Sequence, residues 1–271
     1  MKKRADALLV EQGLADSREK AKRLIMAGKV LCGTLRIDKP SAQLEEHATL
    51  SVQGGECPFV SRGGLKLQKA LDVFDFLKVE GQVFLDIGAS TGGFTDCLLQ
   101  HGAKRVYAID VGYGQLDWRL RQDERVVVLE RVNARNLQVE QVEMADGAVM
   151  DVSFISITKV LPALFTCLKP QAAVVTLIKP QFEAGRGAVG KKGVVREAAT
   201  HRKVIEDVLT FLHVYPDWRV VGLDFSPIRG PEGNVEFLLA LQRGEGAPAL
   251  TDAAAQAAEA VAQAHAAFQV P

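Results

Sequence analysis

The sequence predicts an α/β protein: a doubly wound, mostly parallel sheet, preceded by a small, separate α+β unit. Three observations predict it. Apolar strand-like runs alternate with helical patterns from Phe59 to about Arg243, the order that builds a parallel sheet. The run Val83 to Ile87 ends in Gly88 and a glycine-rich turn, and a helix follows at once. The first fifty-odd residues are set apart by the linker Gln53-Gly54-Gly55-Glu56-Cys57-Pro58.

In the leading unit, Asp6 to Gln12 predicts a short helix ended by Gly13. Asp16 or Ser17 caps a second helix, with Glu19 in its first turn and Gly28 just past its end. Ala21, Leu24 and Ile25 form its apolar stripe. Short strands follow at Lys29 to Cys32, at Arg36 to Asp38 after a Gly33-Thr34 turn, and at Thr49 to Val52. Residues 1–40 hold ten bases and five acids, a net of +5. A basic helix face on a small unit is a footprint for phosphates or a solvated face, and charge alone does not choose.

In the larger part, strands are expected at 83–87, 105–110, 125–129, 147–151, 173–179, 219–224 and 234–241. Helices fill 64–77, 93–101, 114–121, 157–168 and 197–213. Ligands of such a sheet sit beyond the carboxyl ends of its strands, where Asp86, Asp110, Asp151 and Lys179 fall. The domains are thus 1–58, 59–245 and an alanine-rich tail, 246–271. The tail has few large apolar groups and is expected to be weakly ordered.

Composition narrows the function. Of 271 residues, 48% are hydrophobic, and 33 bases balance 33 acids. Net charge therefore argues neither for nor against nucleic acid. No stretch approaches the ~18–20 uninterrupted apolar residues of a membrane span. Met-Lys-Lys-Arg-Ala-Asp has no apolar stretch behind it and reads as no secretory signal. Cys32, Cys57, Cys97 and Cys167 are scattered, as reduced thiols in a cytoplasm are. His47, His101, His201, His213 and His265 show no ligand spacing, so no metal is expected. The expected setting is cytoplasmic.

The turn after Val83–Ile87 lets the main chain approach a ligand closely. The dinucleotide pattern Gly-x-Gly-x-x-Gly is not met, because Ser90 holds the middle position and the glycines are Gly88, Gly92 and Gly93. Asp86, at the mouth of the strand, is expected to point into the pocket. An acid there suits the cationic end of S-adenosylmethionine (SAM) better than a pyrophosphate, though other nucleotides stay open. Asp110 ends the next strand, where a carboxylate accepts the hydroxyls of a ribose. Asn133 follows the third strand, where it either contacts adenine or caps a turn.

Four ions interrupt apolar stretches: Lys66, Asp151, Lys179 and Glu236. Each alone reads as a structural pair, but an ion at a strand end is costly unless paired. Four at one sheet edge point to a site. Methylating a ribose 2′-hydroxyl needs a base for a poor acid, and a lysine serves if a second lysine and desolvation free it of its proton.

Two resemblances add to this reading. Arg4-x-Asp6, Leu9, Gly13, Ser17-Arg18, Ala21, Ile25 and Gly28-x-Val30 resemble the S4 RNA-binding module. Ser-Arg-Gly-Gly-x-Lys-Leu, Asp-Ile-Gly-Ala-Ser-Thr-Gly-Gly-Phe-Thr-Asp, Asp-Val-Gly-Tyr-Gly-Gln-Leu, Asp-Val-Ser-Phe-Ile-Ser, Lys-Pro-Gln-Phe-Glu and Gly-Asn-Val-Glu-Phe recur in order. With the S4-like start they resemble the TlyA family, whose catalytic half is similar to the FtsJ (RrmJ) ribose methyltransferases. The resemblance implies SAM-dependent 2′-O-methylation of cytidines in 16S or 23S ribosomal RNA, on ribosomal subunits, in a Rossmann-like fold. It implies a catalytic tetrad of Lys66, Asp151, Lys179 and Glu236, with Lys179 as base, Lys66 tuning it and the acids orienting both. It carries SAM contacts onto Asp86, Gly88, Ser90, Gly92, Gly93, Phe94 and Asp110, and makes an adenine contact plausible for Asn133. RNA contacts are expected from Arg4, Arg18, Lys20, Lys22, Arg23, Lys29 and Arg62.

Other functions stay open. A base-directed enzyme usually carries Asn/Asp-Pro-Pro-Tyr/Phe at the fourth strand, where this chain has Asp151-Val-Ser-Phe154. A non-catalytic ribosome-assembly factor would bind RNA without methyl transfer. A membrane-active haemolysin, a label some family members bear, would need a span or a strongly amphipathic, aromatic-bearing basic helix, which the sequence lacks.

Residues 185–203 hold six bases, among them Arg186, Lys191 and Lys192, against one acid, with four glycines. This segment is expected to close over RNA. Replacing Lys191 and Lys192 by glutamate should weaken RNA binding and flatten its salt dependence; unchanged binding in a salt titration would reject that role.

Overall fold

The computed structural model describes residues 2–26, 28–33, 35–52, 57–190, 193–244 and 252–270. The chain divides into two compact units, Met1–Cys57 and Pro58–Pro271.

The first unit contains β1 (Lys2–Arg4), α1 (Ala5–Glu11), α2 (Arg18–Met26), β2 (Val30–Cys32), β3 (Leu35–Arg36), β4 (Gln43–Glu45) and β5 (Leu50–Val52). Gly13, at φ +69°, ends the first helical segment in the left-handed region. Ser17 Oγ accepts from the Lys20 N–H at 3.2 Å and caps α2. Strands β3, β2 and β5 form one antiparallel sheet. The pairing of β1 with β4 was not legible in the sequence. Three-residue polar strands carry too little periodicity to announce themselves. Ala5, Leu8, Leu9, Ala21, Ile25 and Val30 are the core.

The second unit contains α3 (Gly63–Val73), β6 (Val83–Ile87), α4 (Gly93–Gln100), β7 (Arg105–Asp110), α5 (Trp118–Arg121), β8 (Val126–Glu130), β9 (Ala145–Met150), α6 (Leu161–Thr166), β10 (Leu168–Ile178), α7 (Pro180–Glu183), α8 (Ala198–Leu212), β11 (Trp218–Phe225), β12 (Phe237–Arg243) and α9 (Ala253–Phe268). The sheet order is β11-β12-β10-β9-β6-β7-β8. Strands β10, β9, β6, β7 and β8 pair in parallel. Strand β12 runs antiparallel to both of its neighbours, β10 and β11. The chain leaves β6 toward β7 and β8, then returns to the other side of β6 with β9. That reversal opens a crevice at the carboxyl ends of β6 and β9.

Several expectations shift. The expected helix 114–121 is helical only from Trp118, because Gly114 sits at φ +74° and the Asp117 side chain caps the helix there by accepting from Arg119 N–H at 2.9 Å. The helix expected over 157–168 is a short 3₁₀ turn, Ile157–Lys159, followed by α6, and Leu168 already belongs to β10. The last strand begins at Phe237, so Glu236 precedes it rather than interrupting it.

The alanine-rich tail corrects a larger expectation. It is not weakly ordered: residues 253–268 form α9, capped by Asp252, whose carboxylate accepts from Ala255 N–H at 2.8 Å. Ala257, Ala260, Val261 and Ala264 are buried along one stripe against α8 and β11. Small residues carry little apolar area each, but they allow a helix to approach its neighbours closely.

Ala260 is 3% exposed. Ala260→Glu should therefore lower unfolding free energy by about 2–3 kcal/mol, as a buried unpaired charge does. Urea unfolding measures it, and a loss under about 0.5 kcal/mol, the size of a surface change, would mean the helix is not docked.

Candidate active site

The crevice is built from strand ends. Parallel strands place their exits on one edge, so Gly88, Asp151 and Lys179, directly after β6, β9 and β10, arrive together. Strand β12 runs the other way, so its entry, Glu236, reaches the same edge. The first turn of α3 brings Lys66.

These side chains touch. Lys179 Nζ lies 2.6 Å from Asp151 Oδ1, and Lys66 Nζ lies 3.1 Å from Asp151 Oδ2. Lys66 Nζ also lies 2.7 Å from Glu236 Oε2. Lys179 Nζ donates to Ser153 Oγ at 3.0 Å. Lys66, Lys179 and Glu236 are buried. Burial disfavours the Lys66 ammonium, but Asp151 and Glu236 outweigh it and hold its pKa above the ordinary lysine value. Burial likewise pushes the Asp151 carboxyl up, and Lys66 and Lys179 overcome that and hold it below the usual range. The result is a neutral cluster of two bases and two acids, with Asp151 bridging both lysines.

Two clefts meet at this cluster. One, of about 370 Å³, is lined by Ile109, Asp110, Val132, Asn133, Ile155 and Val160 among others. The second, of about 340 Å³, holds Arg62, Lys66, Phe94, Lys179 and Arg229. Gly88, Ser90, Asp151 and Ser153 line both.

Gly88 has φ +83°, and a Cβ on it would lie 2.7 Å from the Asp151 carbonyl oxygen. The glycine is therefore required by the strand exit beside it as much as by any ligand. Ser90 carries φ +49° without being glycine. Its N–H donates to Asp110 Oδ2 at 2.8 Å, and Gly112 N–H donates to Asp110 Oδ1 at 2.7 Å. Asp110 is thus fixed at the mouth of the first cleft, with lone pairs left over. Asn133 lines that cleft and also caps a turn, its side chain accepting from Arg135 N–H at 3.1 Å.

Two expected contacts are corrected. Asp86 does not point into either cleft. It is fully buried, and its Oδ2 accepts from Thr95 Oγ1 at 2.6 Å. Burial pushes its carboxyl up to about 7. Gly92 lines neither cleft; at φ +95° it makes room for Leu120 and Leu116, whose methyls would meet a Cβ at 2.2 and 2.8 Å. Gly93 lines the second cleft and lets α4 meet α3, since a Cβ would lie 2.8 Å from the Gly64 nitrogen and 2.4 Å from Ser61 Oγ just before that helix.

Ser153, Phe154 and Arg229 were missed as site residues. Phe154 is 91% exposed at φ +65°, its ring 5.1 Å from Phe182. A bulky residue is costly to hold in the left-handed region. The signal was the polar and aromatic run directly after Asp151.

The expected RNA contacts of the first unit are partly engaged in pairs. Arg4 and Arg18 reach Asp6 at 3.0 and 3.1 Å. Arg4 foremost, then Arg18, hold that buried carboxyl down to about 2 against its burial. Lys20 pairs with Asp16 at 2.7 Å and Lys22 with Glu19 at 2.6 Å. Arg23 is exposed and Lys29 half-buried. Arg186 belongs to the turn Arg186–Ala188. Lys191 and Lys192 lie outside the described residues.

Asp86 makes a pH prediction. Its folded carboxyl, at about 7, binds a proton more tightly than the ordinary carboxyl at 3.8. Stability should therefore fall as pH rises from about 3.8 to about 7. Asp86→Asn keeps an acceptor for Thr95 and should remove that part of the decline in urea unfolding followed across pH. Identical pH slopes in the two proteins would show that Asp86 ionises freely.

Comparison with known proteins places the chain. The FtsJ-like methyltransferase family matches residues 59–243 and the S4 domain matches residues 3–50. A Bacillus subtilis protein provisionally named the rRNA methyltransferase YqxC is 52% identical over 90% of this chain and 88% of its own length. The Mycobacterium tuberculosis 16S/23S rRNA (cytidine-2'-O)-methyltransferase TlyA is 48% identical over 88% of this chain and 89% of its own. A solved structure from Streptococcus thermophilus, provisionally described as a hemolysin, has a TM-score of 0.78 at 48% identity, covering 99% of this chain and 97% of that one.

Proposed function

We infer the reaction from one premise: the chain belongs to the FtsJ-like methyltransferase family, and it carries an S4 domain. The reading is transfer of a methyl group from SAM to the 2′-hydroxyl of a cytidine in ribosomal RNA, the reaction named for the Mycobacterium tuberculosis relative. One observation carries it. Lys66, Asp151, Lys179 and Glu236 form a buried, neutral ion cluster where the two clefts join.

The first cleft fits SAM. Its volume lies in the range of small-ligand sites, roughly 300–1,000 Å³. Ile109, Val132, Ile155 and Val160 offer apolar walls to an adenine, and Asp110 offers a carboxylate to a ribose diol. The bound donor supplies a sulfonium-activated methyl group and an added positive charge. The tetrad's formal charges sum to zero, and an added positive charge beside it would favour the uncharged form of one of its amines. Lys179 then accepts the proton of the 2′-hydroxyl. Asp151 holds Lys179 in place, and Lys66, itself paired with Glu236, holds Asp151. Ser153 steers the amine through its 3.0 Å contact. Phe154 presents an exposed ring on which a nucleobase stacks. The remaining rate comes from aligning oxygen, carbon and sulfur.

The basic helix α2 of the S4 domain binds structured RNA, and the enzyme works on ribosomal subunits in the cytoplasm. Relatives bear the hemolysin name, but among the described residues no helix is long and apolar enough to cross a membrane.

Tritium transfer from labelled SAM to ribosomal RNA tests the reading. Lys179→Ala should lower kcat about 10²–10⁴-fold, as loss of a general base does, while S-adenosylhomocysteine binds as before. Intact RNA binding with no transfer by the wild-type protein would favour an assembly factor instead.

A further inference from the structure

The C-terminal helix ends against Arg229, a residue of the second cleft's wall. Its last residue, Phe268, offers its carbonyl to Arg229 Nη2. That carbonyl is one of the final four of α9, which have no partner within the helix. A guanidinium there also faces the negative end of the helix dipole. The Phe268 ring centroid lies 5.2 Å from the guanidinium carbon. The same ring packs edge-on against Phe225 at 6.0 Å. The ammonium of Lys69, one helical turn after Lys66 on α3, lies 3.6 Å from the centre of the Phe225 ring.

Arg229 lines the second cleft together with Arg62, Lys66 and Lys179. Its position is constrained from the other side as well. A Cβ on Gly230 would lie 2.6 Å from Glu236 Oε1, so the backbone after Arg229 rests directly against the tetrad. The charge balance separates Arg229 from the lysines. Lys66 and Lys179 are neutralised by Asp151 and Glu236. Arg229 is held by a neutral carbonyl and an aromatic face, and among the described residues no carboxylate lies within ion-pair distance of it. Groups that orient a guanidinium without cancelling its charge leave it ready for an anion, and a guanidinium matches phosphate geometry.

We propose that Arg229 takes a backbone phosphate of the substrate RNA and that Phe268, on the C-terminal helix, is the positioning residue that holds it there. This assignment rests on the reading of the cleft as an RNA cleft. The tail, unremarkable in sequence, thereby backs a residue of the active-site wall. Helix α9 can bear that role because Ala257, Ala260 and Ala264 are buried and His265 Nε2 meets His201 Nδ1 at 2.9 Å.

Full-length variants test it through methyl transfer at varied RNA and salt concentrations. Arg229→Gln keeps a donor for the Phe268 carbonyl but removes the charge. It should raise KM for RNA about tenfold and lower the slope of log KM against log salt by about one phosphate. Phe268→Ala should raise KM for RNA with kcat and S-adenosylhomocysteine affinity unchanged, and Phe268→Tyr should restore it. The double variant should be no worse than Arg229→Gln alone. An unchanged salt slope in Arg229→Gln overturns the assignment, as do strictly additive effects in the double variant. Wild-type protein that transfers no methyl group to RNA overturns the functional reading and this one with it.

Discussion

Two lysines and two carboxylates cannot be buried at a sheet edge unless each finds an opposite charge. Removing one partner of a buried pair costs about 3–5 kcal/mol, because the other is left uncompensated. Asp151 resolves this by bridging Lys66 and Lys179, and Glu236 closes the set on Lys66. The fold meets the demand through topology. Asp151 and Lys179 leave parallel strands, Glu236 enters an antiparallel one, and Lys66 comes from a helix that precedes the sheet. The antiparallel β12 therefore has a chemical consequence: in the opposite direction it would carry Glu236 to the far edge.

The same crowding fixes the backbone around the cluster. Gly88 yields to the Asp151 carbonyl, Gly230 to the Glu236 carboxylate and Gly93 to Ser61. Each glycine is a place where two segments approach too closely for a side chain. The strained non-glycine residues Ser90 and Phe154 both line the first cleft. Packing that serves the tetrad and packing that shapes the two clefts are thus one set of contacts, and Asp151, which holds both amines, lines both clefts.

Much of this was legible in the sequence, for definite reasons. Val83–Ile87 is buried at every position, so its apolar run announced a central strand. Lys179 and Asp151 stood out as ions ending such runs. What stayed hidden depended on direction or on distant partners. Asp86 sits in a strand buried on both faces, and no periodicity tells which face its carboxylate takes; it turns to Thr95. Gly92 answers to Leu116 and Leu120, which belong to the next connection. The tail looked too poor in large residues to pack, yet its small residues let α9 lie close on α8 and β11. Arg229 lies in a loop without periodicity, and its partner Phe268 is 39 residues away.

The S4 unit and the catalytic unit solve different problems with similar means. Asp6 gathers Arg4 and Arg18 as Asp151 gathers two lysines, but in the first unit the arginines remain half exposed, at 43% and 56%. The arginines stay open to solvent, whereas the tetrad is closed in on itself. The most direct measurement is nucleoside mass spectrometry of ribosomal RNA incubated with the purified protein and SAM. A buried amine acting on a sugar hydroxyl predicts 2′-O-methylcytidine as the new nucleoside. A methyl group found on a base nitrogen or carbon, with the riboses unmodified, would contradict it.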